Sequence, residues 1–147
     1  MHVRIIVAGK PALGFVRAGV EEYLKRLSRF GGYEWLVVKA GSREEVSARL
    51  LQRSVGCYRV ALDERGDGVA TRLLADRLAA LALRGEIKTV AFLIGAADGH
   101  TPELRASCDW VLSLSPLTLQ HELALLILFE QLYRVASMQA GSPYHRD

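Results

Sequence analysis

Three side chains near the end of the chain, Tyr144, His145 and Arg146, could do chemistry together. A histidine transfers protons near neutral pH, an arginine binds phosphate through its planar fork of donors, and a tyrosine can stack on a nucleobase. Polar residues at a terminus are usually frayed. Here Pro143 stiffens the backbone that leads to them. The sequence therefore favours a tail that folds back over a site.

A second candidate is the turn at residues 95–99, which has a glycine at each end and follows an apolar run. Glycine permits positive φ and lets the backbone approach a ligand closely. In open parallel sheets, ligands bind at the carboxyl ends of the strands. The spacing matches neither the dinucleotide-binding glycine motif nor a P-loop, because no Gly-Lys-Ser/Thr follows. Taken alone, Gly95 and Gly99 are most simply explained by an ordinary strand-to-helix turn.

A third candidate segment also follows a predicted strand and contains two hydroxyl side chains among apolar ones. A proline stiffens it, and its backbone N–H and C=O groups could face the edge of an adenine. Packing into the core, with Thr118 as a helix cap, is the simpler interpretation of the segment alone. Its residues are Leu114, Ser115, Pro116, Leu117, Thr118 and Leu119.

The last predicted helix, residues 120–139, has a core-facing apolar stripe and further apolar residues beside it. This broad surface could pack against a second subunit. His121 in the first turn is interpreted as a local hydrogen-bonding group in preference to a base. Glu130 and Arg134 stand four residues apart and are interpreted as a surface ion pair.

These candidates depend on strands and helices that alternate along the chain. A capping box at Ser42 and Glu45 begins one helix, and Thr101 with Pro102 begins another. The apolar, β-branched run at residues 89–94 is typical of a central parallel strand that is buried on both faces. We therefore predict one α/β domain over residues 1–147 with a mostly parallel sheet. The predicted strands are residues 3–8, 35–39, 58–62, 89–94 and 110–114, and the longer helices are residues 14–29, 69–83 and 120–139. Glycines at residues 66–68 are predicted to interrupt regular secondary structure.

Composition limits the functions that are compatible with this domain. Half of the residues are hydrophobic and 24% are charged, which excludes a disordered chain, and the net charge of +3 permits an anionic partner. Cys57 and Cys108 form no metal or redox motif, and we expect both to be free thiols. We also expect a cytoplasmic protein with no targeting segment, no membrane span and no metal site.

Taken together, the motifs resemble those of the small bacterial ribosomal RNA methyltransferases of the SPOUT (α/β-knot) superfamily. More narrowly, the chain is similar to the family that methylates N3 of a pseudouridine in large-subunit rRNA, position 1915 in the usual RNA numbering. The resemblance covers essentially the whole chain. The most specific motifs, in chain order, are residues 114–119 with His121, then Glu130-Gln131-Leu132-Tyr133-Arg134, then Pro143-Tyr144-His145-Arg146.

The resemblance implies a C-terminal trefoil knot whose loops bind S-adenosylmethionine. It also implies a homodimer in which the tail of one protomer completes the site of its partner, with rRNA or the assembled ribosome as substrate. His145 would be the base that removes the imide proton, with Tyr144 as second choice. Arg146 would stabilise negative charge on the uracil carbonyls or hold a phosphate. The cofactor-binding positions would be Leu62, Gly95, Leu114, Ser115, Pro116, Leu117, Thr118 and Leu119.

Three departures from the family pattern keep other hypotheses open. The usual Gly-Gly-Pro-Glu-Gly loop is Gly-Ala-Ala-Asp-Gly at residues 95–99, a usual arginine is replaced by Leu125, and residues 41–57 form a shorter segment. A knotted RNA-binding protein that has lost catalysis is therefore one alternative, and a nucleotide-binding domain for small molecules is another. A stripe of basic residues could contact the rRNA backbone or form a solvated face. It consists of Arg17, Lys25 and Arg29.

Overall fold

The computed structural model describes residues 1–146, over which strands and helices alternate. The strands are β1 (His2–Ala8), β2 (Tyr33–Val38), β3 (Tyr58–Gly68), β4 (Thr89–Ile94) and β5 (Trp110–Ser113). The α-helices are α1 (Gly14–Leu27), α2 (Arg43–Arg53), α3 (Thr71–Leu83), α4 (Pro102–Ser107) and α5 (His121–Gln139), and a short 3-10 helix (Ser28–Phe30) follows α1. Apart from the end of β3, the predicted boundaries agree within two residues.

The five strands form one parallel sheet in the order β2-β1-β4-β3-β5, so the predicted α/β fold class is confirmed. β4 lies at the centre, and its side chains alternate between two core layers, as expected for a strand covered on both faces. Phe92 packs with α1, α3 and α5 on one face. Leu93 packs with α2 and α4 on the other.

Local capping signals begin α2 and α4 as the sequence predicts. The Ser42 hydroxyl accepts a hydrogen bond from the Glu45 N–H at 3.1 Å, and the Glu45 carboxylate accepts one from the Ser42 N–H at 3.0 Å. Thr101 caps α4 in the same way through the Leu104 N–H, at 3.1 Å. These bonds satisfy N–H groups that a helix leaves without partners at its start.

The prediction that β3 ends at residue 62 and that residues 66–68 interrupt regular structure was wrong. Leu62 and Asp67 both pair with Leu112 of β5, so residues 63–66 bulge out of the ladder and the strand resumes. A Cβ on Gly66 would lie 2.5 Å from the carbonyl carbon of Val111 and 2.8 Å from the Leu112 nitrogen. The glycine is needed for close approach of two backbones, a role that its sequence context does not reveal.

Within residues 1–146, no helix combines the length and the apolar character needed to cross a membrane. Cys57 and Cys108 are both free thiols. Burial raises the pKa of the Cys108 thiol to about 11, so it remains protonated at neutral pH.

Gly66→Ala should lower the free energy of unfolding by about 1–3 kcal/mol, because the new methyl group must push β3 away from β5. Gly68→Ala is the matched control, since a Cβ at that position meets no atom within 4 Å. Urea unfolding of both variants measures the difference. Equal stability of the two variants would contradict the close approach at Gly66.

Candidate functional site

A cavity of about 300 Å³ lies where the loops after β4 and β5 meet the bulge of β3. β3 pairs with both β4 and β5 in parallel, so the carboxyl ends of these strands share one edge of the sheet. The first turn of α5 closes the cavity through His121 and Ala124. Its volume is at the lower end of the range typical of small-molecule sites.

The structure brings seven of the eight predicted cofactor-binding residues together around this cavity. The exception is Pro116, which is exposed and does not line it. Three segments that are separate in sequence contribute these lining residues, and no local sequence pattern predicts that they lie side by side. The seven lining residues are Leu62, Gly95, Leu114, Ser115, Leu117, Thr118 and Leu119.

Hydrogen bonds shape the loop that follows β5. The Ser115 hydroxyl accepts from the Leu117 N–H at 2.9 Å, and the Thr118 hydroxyl donates to a Glu64 carboxylate oxygen at 3.0 Å. The interpretation of Thr118 as a helix cap was wrong. Gln120 caps α5 instead, through bonds from the N–H groups of Glu122 and Leu123 at 2.8 and 3.0 Å. Thr118 is therefore free of that role and joins the loop to the bulge of β3.

A buried carboxylate in the bulge of β3 pairs with two arginines, one of them in α4. The Asp63 side chain is only 6% exposed, and its Oδ2 lies 3.6 Å from a guanidinium nitrogen of both Arg65 and Arg105. Two cations compensate the cost of burying this carboxylate. Arg105 also donates to the His100 carbonyl at 2.9 Å. These bonds fix one side of the cavity against the other.

His100 is a cavity residue that sequence reasoning missed. It is 2% exposed, and its Nε2 lies 3.1 Å from the Leu93 carbonyl oxygen. Because a carbonyl oxygen only accepts, Nε2 carries the hydrogen and Nδ1 keeps its lone pair. Burial lowers the pKa of His100, against the opposing effects of the Leu93 carbonyl and Asp63. The neutral ring supports the turn above it, since a Cβ on Gly95 would lie 3.2 Å from Nδ1.

The position of His100 in the sequence is a weak signal of its role. The residue stands between the second glycine of the turn and the Thr101 cap of α4. A polar ring at such a point has to be buried beneath the turn or exposed beside it. The sequence does not distinguish these two placements.

The C-terminal tail folds back along α5. Gly141 has φ of +74°, and the Ser142 N–H bonds to the Ser137 carbonyl at 2.8 Å, as in a Schellman motif. The Tyr144 ring then packs edge-on against Tyr133, with centroids 4.7 Å apart. The tail is folded, but Tyr144, His145 and Arg146 do not line the cavity of their own chain.

Tyr144 anchors this tail and is a poor candidate for a base. Its hydroxyl donates to Glu130 at 3.1 Å, and the Arg134 guanidinium lies 4.8 Å from its ring centre. Burial, followed by contacts with Tyr23 and Glu130, raises the pKa of Tyr144, so the phenol keeps its proton at neutral pH. Glu130 and Arg134 form the predicted ion pair, at 2.8 Å and about one quarter exposed. His145 therefore remains the first choice for a base.

Two arginines of the predicted basic stripe donate hydrogen bonds to groups of the same chain. Arg17 donates to the carbonyls of Pro11 and Ala12 at 2.8 and 2.9 Å. Arg29 donates to the Tyr133 hydroxyl at 3.3 Å. These bonds hold both side chains against the protein surface, which leaves contact with RNA as a prediction.

Comparisons with known proteins match nearly the whole chain. A family model described as a predicted SPOUT methyltransferase matches residues 1–145. A protein of Thermus thermophilus named ribosomal RNA large subunit methyltransferase H is 48% identical over 146 residues, which is 99% of each chain. A protein of the same name from Deinococcus radiodurans is 39% identical, again over 99% of each chain.

Solved structures share the fold at low sequence identity. A putative methylase family protein from Neisseria gonorrhoeae gives a TM-score of 0.60 at 15% identity, over 99% of this chain and 86% of that one. A probable methylase family protein from Haemophilus influenzae gives 0.60 at 13% identity, over 99% and 70%.

The buried neutral His100 should make stability decline in mild acid. An unfolded histidine takes up a proton near pH 6.5, whereas the folded one resists protonation to a lower pH. The unfolding free energy contributed by His100 should therefore fall below about pH 6.5, by at most about 1.4 kcal/mol per pH unit, until the folded pKa is reached.

His100→Leu should flatten this part of the pH dependence, measured by urea unfolding between pH 7 and pH 5. His2→Gln is the comparison variant, because it removes a partly exposed imidazole at the start of β1, the end of the strand opposite the cavity. His2 lies 3.3 Å from a Glu34 carboxylate oxygen, so this variant reports the loss of an ion pair and not of a buried neutral ring. An unchanged slope in His100→Leu would show that the folded protein does not require a neutral ring there.

Proposed function

The chain belongs to the SPOUT methyltransferase family, and we propose that it methylates N3 of a pseudouridine, position 1915, in large-subunit rRNA with S-adenosylmethionine as methyl donor. The observation that carries this proposal is the convergence of Leu62, Gly95 and five residues of the loop after β5 on one cavity. Relatives that match over almost the whole chain are named for rRNA methylation, which supports the substrate class.

The lining of the cavity fits the proposed cofactor. Apolar side chains such as Leu62, Leu114 and Leu119 can cover an adenine ring, and backbone groups of the same loops can bond to its edge. Glu64 adds a carboxylate near a ligand that carries a cationic sulfur. When bound, S-adenosylmethionine supplies an electrophilic methyl group. The protein then has to orient the acceptor and exclude water.

We further infer that the active site is composite and forms in a homodimer. Ala124 of α5 lines the cavity, whereas Tyr144 packs on Tyr133, nine residues further along the helix, roughly 13 Å along its axis. A tail anchored there is better placed to serve a neighbouring cavity than its own. Large exposed apolar residues on α1, α5 and the adjoining loop also favour a covering partner. They are Phe15, Leu117 and Leu123.

The tail residues have distinct roles in this proposal. The N3 imide of pseudouridine is protonated at neutral pH, so a base must remove its proton before N3 can act as a nucleophile. His145 of one protomer would take this proton at the partner's cavity. Arg146 would stabilise the negative charge that develops on the uracil carbonyls or hold a phosphate. Tyr144 would fix the tail on α5.

The alternative of a knotted RNA-binding protein without catalysis loses its main support. Leu125 is fully buried in the core and does not line the cavity, so the missing arginine removes no group from the cofactor site. Gly95 and Gly99 also retain the turn, with positive φ at Gly99.

We also infer the trefoil knot predicted from the family. The chain leaves the edge strand β5, passes the carboxyl end of the sheet beside the β3 bulge, and continues into α5. α5 then packs with α1 and α3 on one face. A return of the chain across strand ends in this way is compatible with threading, which is rare among proteins.

An rRNA substrate would place the protein in the cytoplasm.

Purified protein should transfer a labelled methyl group to large-subunit rRNA that contains unmethylated pseudouridine at the target position. The same RNA with uridine at that position is the matched control. It should accept less methyl group, because the proposed substrate is the pseudouridine. Mass mapping should find one added methyl group on the pseudouridine. Absence of transfer to free rRNA, isolated subunits and assembled ribosomes would contradict the proposal.

Mixed dimers should test whether the tail acts on the partner's cavity. One protomer carries His145→Ala and Arg146→Ala, which leaves the Tyr144 anchor in place. The other carries Gly95→Val, whose Cβ would crowd the Gly99 carbonyl oxygen at 3.1 Å and disrupt the turn. Neither homodimer should be active, whereas random mixing should restore about a quarter of wild-type turnover.

The quarter arises because half of the dimers are mixed and each mixed dimer has one complete site. A tail that serves its own cavity would give no activity in the mixture. Light scattering and native mass spectrometry confirm that mixed dimers form, and a monomer at micromolar concentration would overturn the dimer proposal.

A further inference from the structure

The carboxylate of Glu122 joins two segments that are far apart in sequence. Its two oxygens accept hydrogen bonds from the backbone N–H groups of Ala12 and Leu13, at 3.0 and 2.9 Å. The residue is only 7% exposed. A buried carboxylate needs such compensation, and two N–H donors supply it.

The segment held by Glu122 leads from β1 into α1. Leu13 is the N-cap of α1, and its side chain makes no capping hydrogen bond. Arg17 holds the same segment from the other side through the Pro11 and Ala12 carbonyls. The segment therefore presents its N–H groups to Glu122 and its carbonyl groups to Arg17, and its conformation is well defined.

Glu122 stands within the part of α5 that closes the cavity. His121 and Ala124 on either side of it line the cavity, as do the residues of the loop immediately before α5. Glu122 itself does not line the cavity. Its two bonds therefore anchor a cavity wall to the neighbouring strand-end segment without contact to a ligand.

We propose that Glu122 is a positioning residue for the cofactor site, which holds the first turn of α5 and the loop before it in the arrangement that binds S-adenosylmethionine. This inference rests on the proposed function for the identity of the ligand. The hydrogen bond from Leu13 lowers the pKa of Glu122 against the opposing effect of burial, and Ala12, His121 and Arg17 act in the same direction as Leu13. The carboxylate is therefore charged at neutral pH, where both bonds are made.

Glu122→Gln tests the inference with little change in size. A glutamine oxygen can accept one of the two bonds, but its NH₂ group then faces the other N–H donor. We expect the affinity for S-adenosylhomocysteine, measured by calorimetry, to fall about tenfold, the scale of one lost hydrogen bond to a charged group. At saturating cofactor, kcat and the KM for rRNA should stay near wild-type values.

Ser42→Ala is the matched control, because it also removes a side-chain hydrogen bond at the N-terminus of a helix. That helix, α2, packs against the opposite face of the sheet. Both variants should have a lower Tm, and only Glu122→Gln should bind the ligand more weakly. In the ligand-free proteins, NMR signals of Ala12, Leu13 and residues 117–121 should shift in Glu122→Gln and stay unchanged in Ser42→Ala.

Equal ligand affinity in Glu122→Gln and wild type, or unchanged signals for residues 117–121, would overturn the positioning role. Equal weakening in both variants would also overturn it, since a general loss of stability would then explain the effect. If the wild-type protein binds no S-adenosylhomocysteine, the proposed function fails, and the NMR comparison still decides whether Glu122 positions the loop.

Discussion

Parallel pairing of β3 with both β4 and β5 is the constraint on which the rest of the structure depends. It places the ends of three strands side by side, so that residues more than 50 positions apart, such as Leu62 and Leu119, line one cavity. The sheet is held by a central strand that packs on both faces. Rigid strands with short bonded loops thus create a preformed site, which reduces the ordering cost of binding.

Polar contacts between the loops hold the cavity walls in the positions that the strand pairing gives them. Asp63 and Arg105 connect the bulge of β3 to the loop after β4, and Thr118 connects the loop after β5 to Glu64. Glu122 connects the segment after β1 to the first turn of α5. The Asp63 and Glu122 carboxylates are buried, so loss of a partner at either of them is costly. The loops are consequently expected to act as one unit in binding.

The sequence predicts best what depends on local periodicity and capping. The central strand, the capping box at Ser42 and the Thr101 cap follow from short patterns, and family motifs identified seven residues of the cavity. Features that depend on contacts between distant segments could not be predicted. Gly66 is explained only by the backbone of β5, and His100 only by its burial beneath the turn. The anchoring of Tyr144 likewise needs the folded position of Glu130.

The central claim is that a cofactor cavity at the strand ends is completed by the tail of a partner. A crystal structure of the protein with S-adenosylhomocysteine tests it most directly. The account predicts the ligand among Leu62, Gly95 and residues 114–119, with His145 of a second protomer facing it. A ligand bound outside that cavity, or a cavity faced by the tail of its own chain, would contradict the account.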